Sequence, residues 1–348
     1  MKTLSGHTIT RYEGEELETF KKEFPCDLQH NGFIRLKPGN WTVPTHFDKF
    51  ADEIYQFKFR ENDTVVCSCP KAGTTWVQEI IWTMKNNPNL DNPDAKLSQG
   101  HRLPYFEMDA HIGTEGPLFD ALLSEIESSP GEVKEKEGLF LNTINKFPSP
   151  RIIKTHLPIT LLPPDTLDCT KFVYVARNPY DVCISGYHYC RLHKDCYYAG
   201  TFDQFAQRFM EGNIVHYPFW EHVYSAWKMQ NHCNLHFIFY EDLKQDPFKE
   251  IEKLNEFLET GLTNEQLKNV VKVTSFSDMK NRGVVAFGVV ESPEHMNMEQ
   301  KEKEGGFLRK GIVGDWKDSR YQETIDKMKI WVIDKMKDME IPFKYEIN

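Results

Sequence analysis

Short apolar runs alternate with longer stretches of helical periodicity along most of the chain. Three stretches, beginning at Val77, Ile251 and Ile325, carry apolar residues at the three- and four-residue spacing of a helix. Four runs rich in valine, isoleucine, phenylalanine or tyrosine are predicted strands: Thr64–Ser68, Arg151–Lys154, Lys171–Ala176 and Leu235–Tyr240. Strands separated by helices are typical of a mostly parallel sheet flanked by helices. The pattern therefore predicts an α/β fold.

The stretch from residue 277 to residue 308 interrupts this alternation. It is polar and rich in glycine and proline, and its run 299–306 has no apolar stripe. Two interpretations remain open, a solvated surface loop and a mobile flap beside a ligand site. We find no internal repeat and no linker, so we expect one domain spanning residues 1–348.

Composition and charge restrict the classes of ligand. The 348 residues are 40% hydrophobic and 13% aromatic, which is ample for a substantial core. The formal net charge of -10 argues against nucleic acid and anionic membranes as partners. Any anionic ligand must therefore be held by a few cations placed close to it.

The cysteines and the amino terminus bear on location. The eight cysteines are scattered, without the repeated C-x-x-C pairs of a zinc site. The first residues contain no apolar signal core, and no run of about 18 apolar residues occurs. We therefore expect a reduced, cytoplasmic protein that neither enters nor crosses a membrane.

The sequence Cys-Pro-Lys-Ala-Gly-Thr-Thr-Trp at residues 69–76 separates the first predicted strand from the first predicted helix. Gly73 lets the backbone approach an anion, and Thr74 and Thr75 add hydroxyl groups to the positive end of the helix. The motif differs from the common nucleoside-triphosphate loop, because Lys71 precedes the glycine instead of following it. An anionic ligand is the expected occupant.

Further polar residues follow the other predicted strands, at the edge where open α/β sheets bind ligands. His156 can accept a proton from a hydroxyl group, although it can equally be a structural histidine. Arg177 can fork onto a phosphate, or form a surface ion pair. The pair Arg309 and Lys310, followed by Gly311, is a candidate second phosphate clamp.

Together these segments resemble the cytosolic sulfotransferase family, whose sulfuryl donor is 3′-phosphoadenosine 5′-phosphosulfate (PAPS). The resemblance runs from about Thr64 to Trp316 in the order typical of that family. It implies a single α/β domain with a P-loop-like phosphosulfate-binding loop, and 3′-phosphoadenosine 5′-phosphate (PAP) as the product left by the donor. The segments that carry it are 69–76, 154–158, 177–179 with Ser185, 240–242, 274–276 and 309–311.

The resemblance also implies a donor site. Lys71 would hold the leaving phosphate and the bridging oxygen, and Trp76 would contact the adenine. Ala72 stands where many relatives have serine, which removes one hydroxyl group but keeps the loop amides. The full set of implied donor-binding residues is Lys71, Ala72, Gly73, Thr74, Thr75, Trp76, Arg177, Ser185, Tyr240, Thr274, Phe276, Arg309, Lys310 and Gly311.

Carried over from the family, His156 would be the base that takes the proton of the acceptor, while Lys71 and Lys154 would neutralise developing charge. A metal is not required, because a sulfuryl group carries less charge than a phosphoryl group. The acceptor would be a small lipophilic alcohol, such as a phenol, a steroid or a retinoid. Tyr105, Phe106, His156 and Tyr189 would face it, although ordinary core packing is an alternative for each aromatic residue.

Departures from the family leave several alternatives. The usual dimer motif near the carboxyl end is absent, so a monomer or a homodimer is possible. Residues 1–60 form an extension that is expected to pack on the core and the acceptor side. The amino-terminal part and the region Pro88–Gly138 are longer than in typical vertebrate members and resemble the insect branch that includes retinol dehydratase. A dehydratase acting through a transient sulfate ester is therefore an alternative. A nucleotide kinase and an inactive PAPS-binding protein are two others.

Overall fold

The computed structural model describes residues 2–26, 32–127, 138–283 and 288–347. Its strands are β1 (Thr8–Arg11), β2 (Phe33–Lys37), β3 (Trp41–Pro44), β4 (Thr64–Ser68), β5 (Ile152–Thr155), β6 (Lys171–Ala176) and β7 (Leu235–Phe239). Its helices are α1 (Gly14–Glu23), α2 (Phe47–Gln56), α3 (Thr74–Asn86), α4 (Gln99–Arg102), α5 (Met108–Ile112), α6 (Pro117–Glu127), α7 (Leu139–Lys146), α8 (Thr166–Cys169), α9 (Pro179–Leu192), α10 (Phe202–Glu211), α11 (Phe219–Trp227), α12 (Tyr240–Gln245), α13 (Pro247–Phe257), α14 (Asn264–Val273), α15 (Phe276–Asn281), α16 (Met298–Glu304) and α17 (Gln322–Met336).

The central sheet contains the four predicted strands in the order β5-β4-β6-β7, and all pairs are parallel. Strands β4 and β6 have the predicted bounds. Strand β5 begins and ends one residue later than predicted, and β7 ends one residue earlier because Tyr240 begins α12. Alternate residues of β4 pack on opposite faces, with Val65 in the larger core cluster and Val66 in the one under α3. The α/β fold predicted from the sequence is confirmed.

A second sheet, absent from the prediction, lies in the amino-terminal part. Its order is β1-β2-β3 and its pairs are antiparallel. The turn between β2 and β3 includes Gly39 and Asn40, both at positive φ, a backbone conformation that hairpin turns require. The Pro-Gly-Asn sequence of this turn was the available signal, but the adjoining strands are short and β1 is mostly exposed.

The amino-terminal part packs on the rest of the chain through aromatic side chains. Phe20 stacks on Phe24 with ring centroids 4.7 Å apart, and Phe24 lies 4.9 Å from Tyr198. Phe24 and Phe33 also line the main cavity described below. The amino-terminal residues and the central sheet therefore share one core. That this side receives an acceptor stays a prediction.

The helices follow the predicted stripes, with small differences at their ends. The three predicted stripes lie in α3, α13 and α17. The last apolar residues of the second and third stripes, Leu258 and Met339, fall beyond the ends of α13 and α17. Helix α17 has 15 residues. Within the described part of the chain, no helix combines the length and the apolar content that a bilayer crossing needs.

Residues 277–308 contain more helix than a surface loop would. Apart from residues 284–287, which lie outside the described part, the stretch contains most of α15 and all of α16. The carboxylate of Glu304 in α16 contacts the ring of His188 and lies 3.2 Å from the guanidinium of Arg191. The interpretation as a solvated loop is therefore wrong for α16, whose polar residues bind those of α9. The mobility of this stretch stays a prediction.

Candidate active site

The loop between β4 and α3 forms one end of the main cavity. Lys71 and Gly73 have φ values of 71° and 113°, so the chain turns sharply in front of the helix. A Cβ atom on Gly73 would lie only 2.7 Å from the ring of Tyr240, which leaves room for glycine alone. The first amide groups of α3 then point out of the helix end toward the cavity, as an anion site requires.

Lys71 lies between two aromatic rings. Its Nζ atom is 4.2 Å from the ring centroid of Tyr189 and 4.4 Å from that of Phe307. Burial, with the charge of Lys154 as the next contribution, lowers the pKa of Lys71 to about 7. The rings compensate only part of the lost hydration. An ammonium group in this position favours an anionic ligand.

A second group of cations lies across the cavity. The guanidinium of Arg177 lies over the ring of Tyr240 at 4.3 Å and donates to the carbonyl oxygen of Ile312 at 2.8 Å. Its Nε atom is buried and has no partner among the described residues. Asp315 contacts both Arg309 and Lys310, with 2.5 Å to the Lys310 Nζ atom. These groups form a basic clamp that fits a phosphate.

Aromatic side chains lie between the loop and this clamp. The rings of Trp76 and Tyr240 are 5.5 Å apart and nearly perpendicular at 72°. The Nε1 atom of Trp76 is buried without a partner in the described part of the chain. At Gly311, where φ is 62°, a Cβ atom would lie 2.2 Å from the ring of Phe276. These aromatic residues line the cavity beside the clamp and are suited to contact a nucleoside base.

His156 follows β5 and faces the same cavity. Its Nδ1 atom lies 2.8 Å from the carbonyl oxygen of Ser68, so Nδ1 carries the proton and Nε2 keeps a lone pair. Burial, and then the charge of Lys154, lowers the pKa of His156 well below its usual value. The imidazole is therefore neutral near pH 7 and able to accept a proton.

Glu107 and Lys154 flank this histidine. The carboxylate of Glu107 accepts from the backbone N–H of His156 at 2.5 Å and from the hydroxyl group of Thr155 at 2.8 Å. Burial raises the pKa of Glu107 to about 7 and lowers that of Lys154 to about 8. The Nζ atom of Lys154 lies 4.1 Å above the ring of Tyr105. Glu107 thus fixes the backbone at the end of β5, while Lys154 places a cation beside the histidine.

One cavity connects these groups. The predicted site residues that line it are Lys71, Gly73, Thr74, Thr75, Trp76, Tyr105, Lys154, His156, Arg177, Ser185, Tyr189, Tyr240, Phe276, Arg309, Lys310 and Gly311. Its wall beyond His156 is mostly apolar and includes Phe24, Phe33, Met108, Ile112, Leu118, Phe205, Ile214 and Val290. The cavity therefore joins an anion-binding half to a lipophilic half.

Three predicted residues do not line this cavity. Phe106 is fully buried, and its ring lies 5.0 Å and 5.3 Å from those of Phe57 and Phe59. The backbone of Phe106 pairs with the end of β5, and this turns its ring away from the cavity and into the core. Ala72 is buried in the same core. Thr274 directly follows α14, and its hydroxyl group donates to the carbonyl oxygen of Val270 in that helix.

The prediction missed several cavity residues. Phe307 precedes the basic clamp by two residues, so its proximity to that motif was a usable signal. His111, His193 and His216 also line the cavity, but they lie in segments whose positions depend on loop lengths. One ligand atom each from Glu107, His111 and His216 lies within 4.8 Å of the others, so these residues could hold a metal ion.

Comparisons with known proteins agree with this geometry. Residues 61–340 match the family described as the sulfotransferase domain. The chain is 31% identical to sulfotransferase 1 family member D1 of Mus musculus, over 88% of this chain and 93% of that protein. It also superimposes on retinol dehydratase in complex with androsterone and inactive cofactor PAP, with a TM-score of 0.80, 26% identity and coverage of 98% and 99% of the two chains. A retinol dehydratase complex with retinol and PAP gives a TM-score of 0.79 and 27% identity, with coverage of 97% and 99%.

Proposed function

This chain belongs to the sulfotransferase family and is a PAPS-dependent enzyme, and we propose that it transfers the sulfuryl group to the hydroxyl group of a small lipophilic acceptor, with His156 as the base. The observation that carries the proposal is the shared cavity. Lys71 and the basic clamp occupy its polar half, His156 lies where the halves meet, and apolar side chains line the rest.

The residues of the donor half fit PAPS. The loop amides and Lys71 suit the 5′-phosphosulfate, and the clamp of Arg177, Arg309 and Lys310 suits the 3′-phosphate. Two buried nitrogen atoms have no partner in the described part of the chain, Arg177 Nε and Trp76 Nε1. The first lies on the side where the phosphate would bind, and the second on the side where the base would bind. Donor binding would therefore complete contacts that the chain leaves open.

In the transfer, the lone pair on His156 Nε2 takes the proton of the acceptor hydroxyl as its oxygen attacks sulfur. The donor supplies an activated sulfuryl group whose bond to the bridging oxygen breaks. Lys71 neutralises the negative charge that develops on that oxygen, which favours the transition state over the ground state. Lys154 lies on the His156 side and offers a second cation to the sulfuryl oxygens.

Calorimetry with PAP and adenosine 5′-monophosphate tests the donor half. We expect PAP to bind at least about tenfold more tightly, because only PAP presents a 3′-phosphate to the clamp. Arg309→Gln should remove most of this preference, whereas Arg320→Gln, at an exposed arginine paired with Asp318, should keep it. Equal affinities of the two nucleotides for the wild type would contradict the assignment of the clamp.

Dehydration is a second candidate outcome, favoured by the similarity to retinol dehydratase over nearly the full length. An allylic alcohol that receives a sulfuryl group gains a good leaving group. Loss of sulfate and a proton then gives an alkene. Mass spectrometry of retinol incubated with PAPS distinguishes the two outcomes. A retinyl sulfate supports simple transfer, and an anhydro product supports elimination.

A further inference from the structure

Polar side chains cluster at the end of the cavity where His156 lies. The hydroxyl oxygen of Tyr105 is 2.9 Å from His111 Nε2, and His111 Nε2 is 2.6 Å from His216 Nε2. The ring centroids of Tyr105 and His216 lie 5.7 Å and 5.8 Å from that of His156. The proposed reaction gives a role to His156 but to none of these three residues. Tyr105, His111 and His216 are called the polar triad below.

The polar triad has unused hydrogen-bonding capacity. A neutral imidazole offers one donor and one acceptor, and the contact between the two Nε2 atoms uses a single proton. The Nδ1 atom of His216 is buried and has no partner in the described part of the chain, and the residue is only 1% exposed. A buried polar atom without a partner is unfavourable. His111 Nε2 contacts both Tyr105 and His216, but with one proton or one lone pair it completes only one of these two hydrogen bonds, so a ligand hydroxyl group beside the triad can pair with the group that is left over.

The surroundings of the triad select the kind of group that fits. The Nζ atom of Lys154 lies 4.1 Å above the ring of Tyr105, which disfavours a cationic amine at this place. The carboxylate of Glu107 lies within 4.8 Å of the nitrogens of both triad histidines, which disfavours an anion. A neutral hydroxyl group, which can both donate and accept, is therefore the best match.

We propose that the polar triad binds a second hydroxyl group of the acceptor, next to the one that reacts at His156. The preferred acceptors are then catechols and vicinal diols with an apolar body, because the remaining wall of this half is mostly apolar. The inference rests on the proposed function, since it takes His156 as the position of the reacting hydroxyl group.

Matched acceptors test this subsite. Calorimetry measures the binding of 4-pentylcatechol, 4-pentylphenol and 4-pentyl-2-methoxyphenol to the PAP-bound protein in the presence of EDTA. We expect the catechol to bind about tenfold or more tightly than either analogue, because each analogue leaves part of the triad unpaired. Comparison with the methoxy compound separates hydrogen bonding from the extra volume of an oxygen atom.

Variants assign the preference to the polar triad. His111→Leu should abolish the preference for the catechol. His111→Gln should keep much of this preference, because the carboxamide retains a donor and an acceptor. Tyr105→Phe removes a single hydroxyl group and should weaken it. His193→Leu is the matched control, since His193 is another buried cavity histidine, with a pKa lowered to about 3 by burial, outside the triad. The preference for the catechol should remain in His193→Leu.

Several results would overturn the subsite. They are equal affinities of the wild type for the three compounds, a catechol preference that survives in both His111→Leu and Tyr105→Phe, and a preference that needs added Zn²⁺. The last result would make Glu107, His111 and His216 a metal site instead. Failure of the proposed function shows separately, as no PAP released from PAPS while the acceptors still bind.

Discussion

The Nδ1 atom of His156 lies 2.8 Å from the carbonyl oxygen of Ser68, the residue that ends the neighbouring strand β4. This bond joins the two strands that carry the base and the phosphate loop. It sets the tautomer of the imidazole and fixes its position relative to Lys71. Strand β4 is an inner strand of the sheet and β5 is its neighbour at the edge, so the hydrogen bond ties the base to an inner strand.

Replacing His156 tests its role as the base. We expect His156→Ala to lower kcat by at least ~10²-fold, since general base catalysis is lost. PAP should still bind within about threefold of its wild-type affinity, because the donor half lies on other residues. Steady-state kinetics and calorimetry give the two numbers. A parallel loss of PAP binding would show that the histidine is structural.

Replacing Lys71 tests the stabilisation of the leaving group. Lys71→Ala should lower kcat by ~10²-fold or more, because charge on the bridging oxygen is no longer neutralised. Lys280→Ala, at a lysine 5.9 Å from the ring of Phe276 and not among the residues that line the cavity, is the control and should have little effect. Turnover near the wild-type rate in Lys71→Ala would refute the assignment.

The lowered pKa of Lys71, about 7, predicts pH-dependent donor binding. PAP binds best to the ammonium form, so above pH 7 the free protein must take up a proton on binding. The Kd for PAP should rise by up to about fivefold between pH 7 and pH 8. Lys71→Arg keeps a cation at every pH and should flatten this rise. A Kd independent of pH in the wild type would contradict the prediction.

The lowered pKa of His156 makes a second pH prediction. Burial disfavours the imidazolium form, so the base stays neutral until the pH falls well below 6.5. The acid limb of kcat/KM should therefore have its midpoint below pH 6.5. A pH–rate profile with a saturating concentration of PAPS measures it. A midpoint at or above 6.5 would mean that the histidine is more hydrated than its surroundings indicate.

A fully buried ion pair supports the edge of the central sheet. Arg151 donates to both carboxylate oxygens of Asp63, at 2.9 Å and 2.5 Å, and to the carbonyl oxygen of Ile144 at 3.0 Å. Asp63→Ala leaves the guanidinium buried and unpaired, so it should lower the free energy of unfolding by about 3–5 kcal/mol. Urea denaturation measures this loss.

The double variant Asp63→Leu with Arg151→Met is the control for this prediction. It removes both charges and should be more stable than Asp63→Ala. If Asp63→Ala unfolds at the wild-type urea concentration, the pair does not stabilise the sheet.

The sequence predicted the central sheet accurately, and most of the residues expected in the donor half line one cavity, although their roles stay a prediction. Continuous apolar strands and the motif at residues 69–76 are local signals, and their positions depend on a few adjacent residues. The polar triad was not predictable, because His111 and His216 are brought together from segments 105 residues apart. The helix α16 was missed for a related reason. Most of its side chains are polar, and Glu304 contacts His188 and Arg191 of α9, so it lacks the apolar stripe that identifies a helix in a sequence.

Mass spectrometry of the product formed from PAPS and 4-pentylphenol in EDTA tests sulfuryl transfer with His156 as the base. We expect the sulfate ester of the phenol, with one PAP released for each ester formed, and no ester in His156→Ala. Binding of PAPS and the phenol without transfer, or transfer that persists in His156→Ala at the wild-type rate, would contradict it.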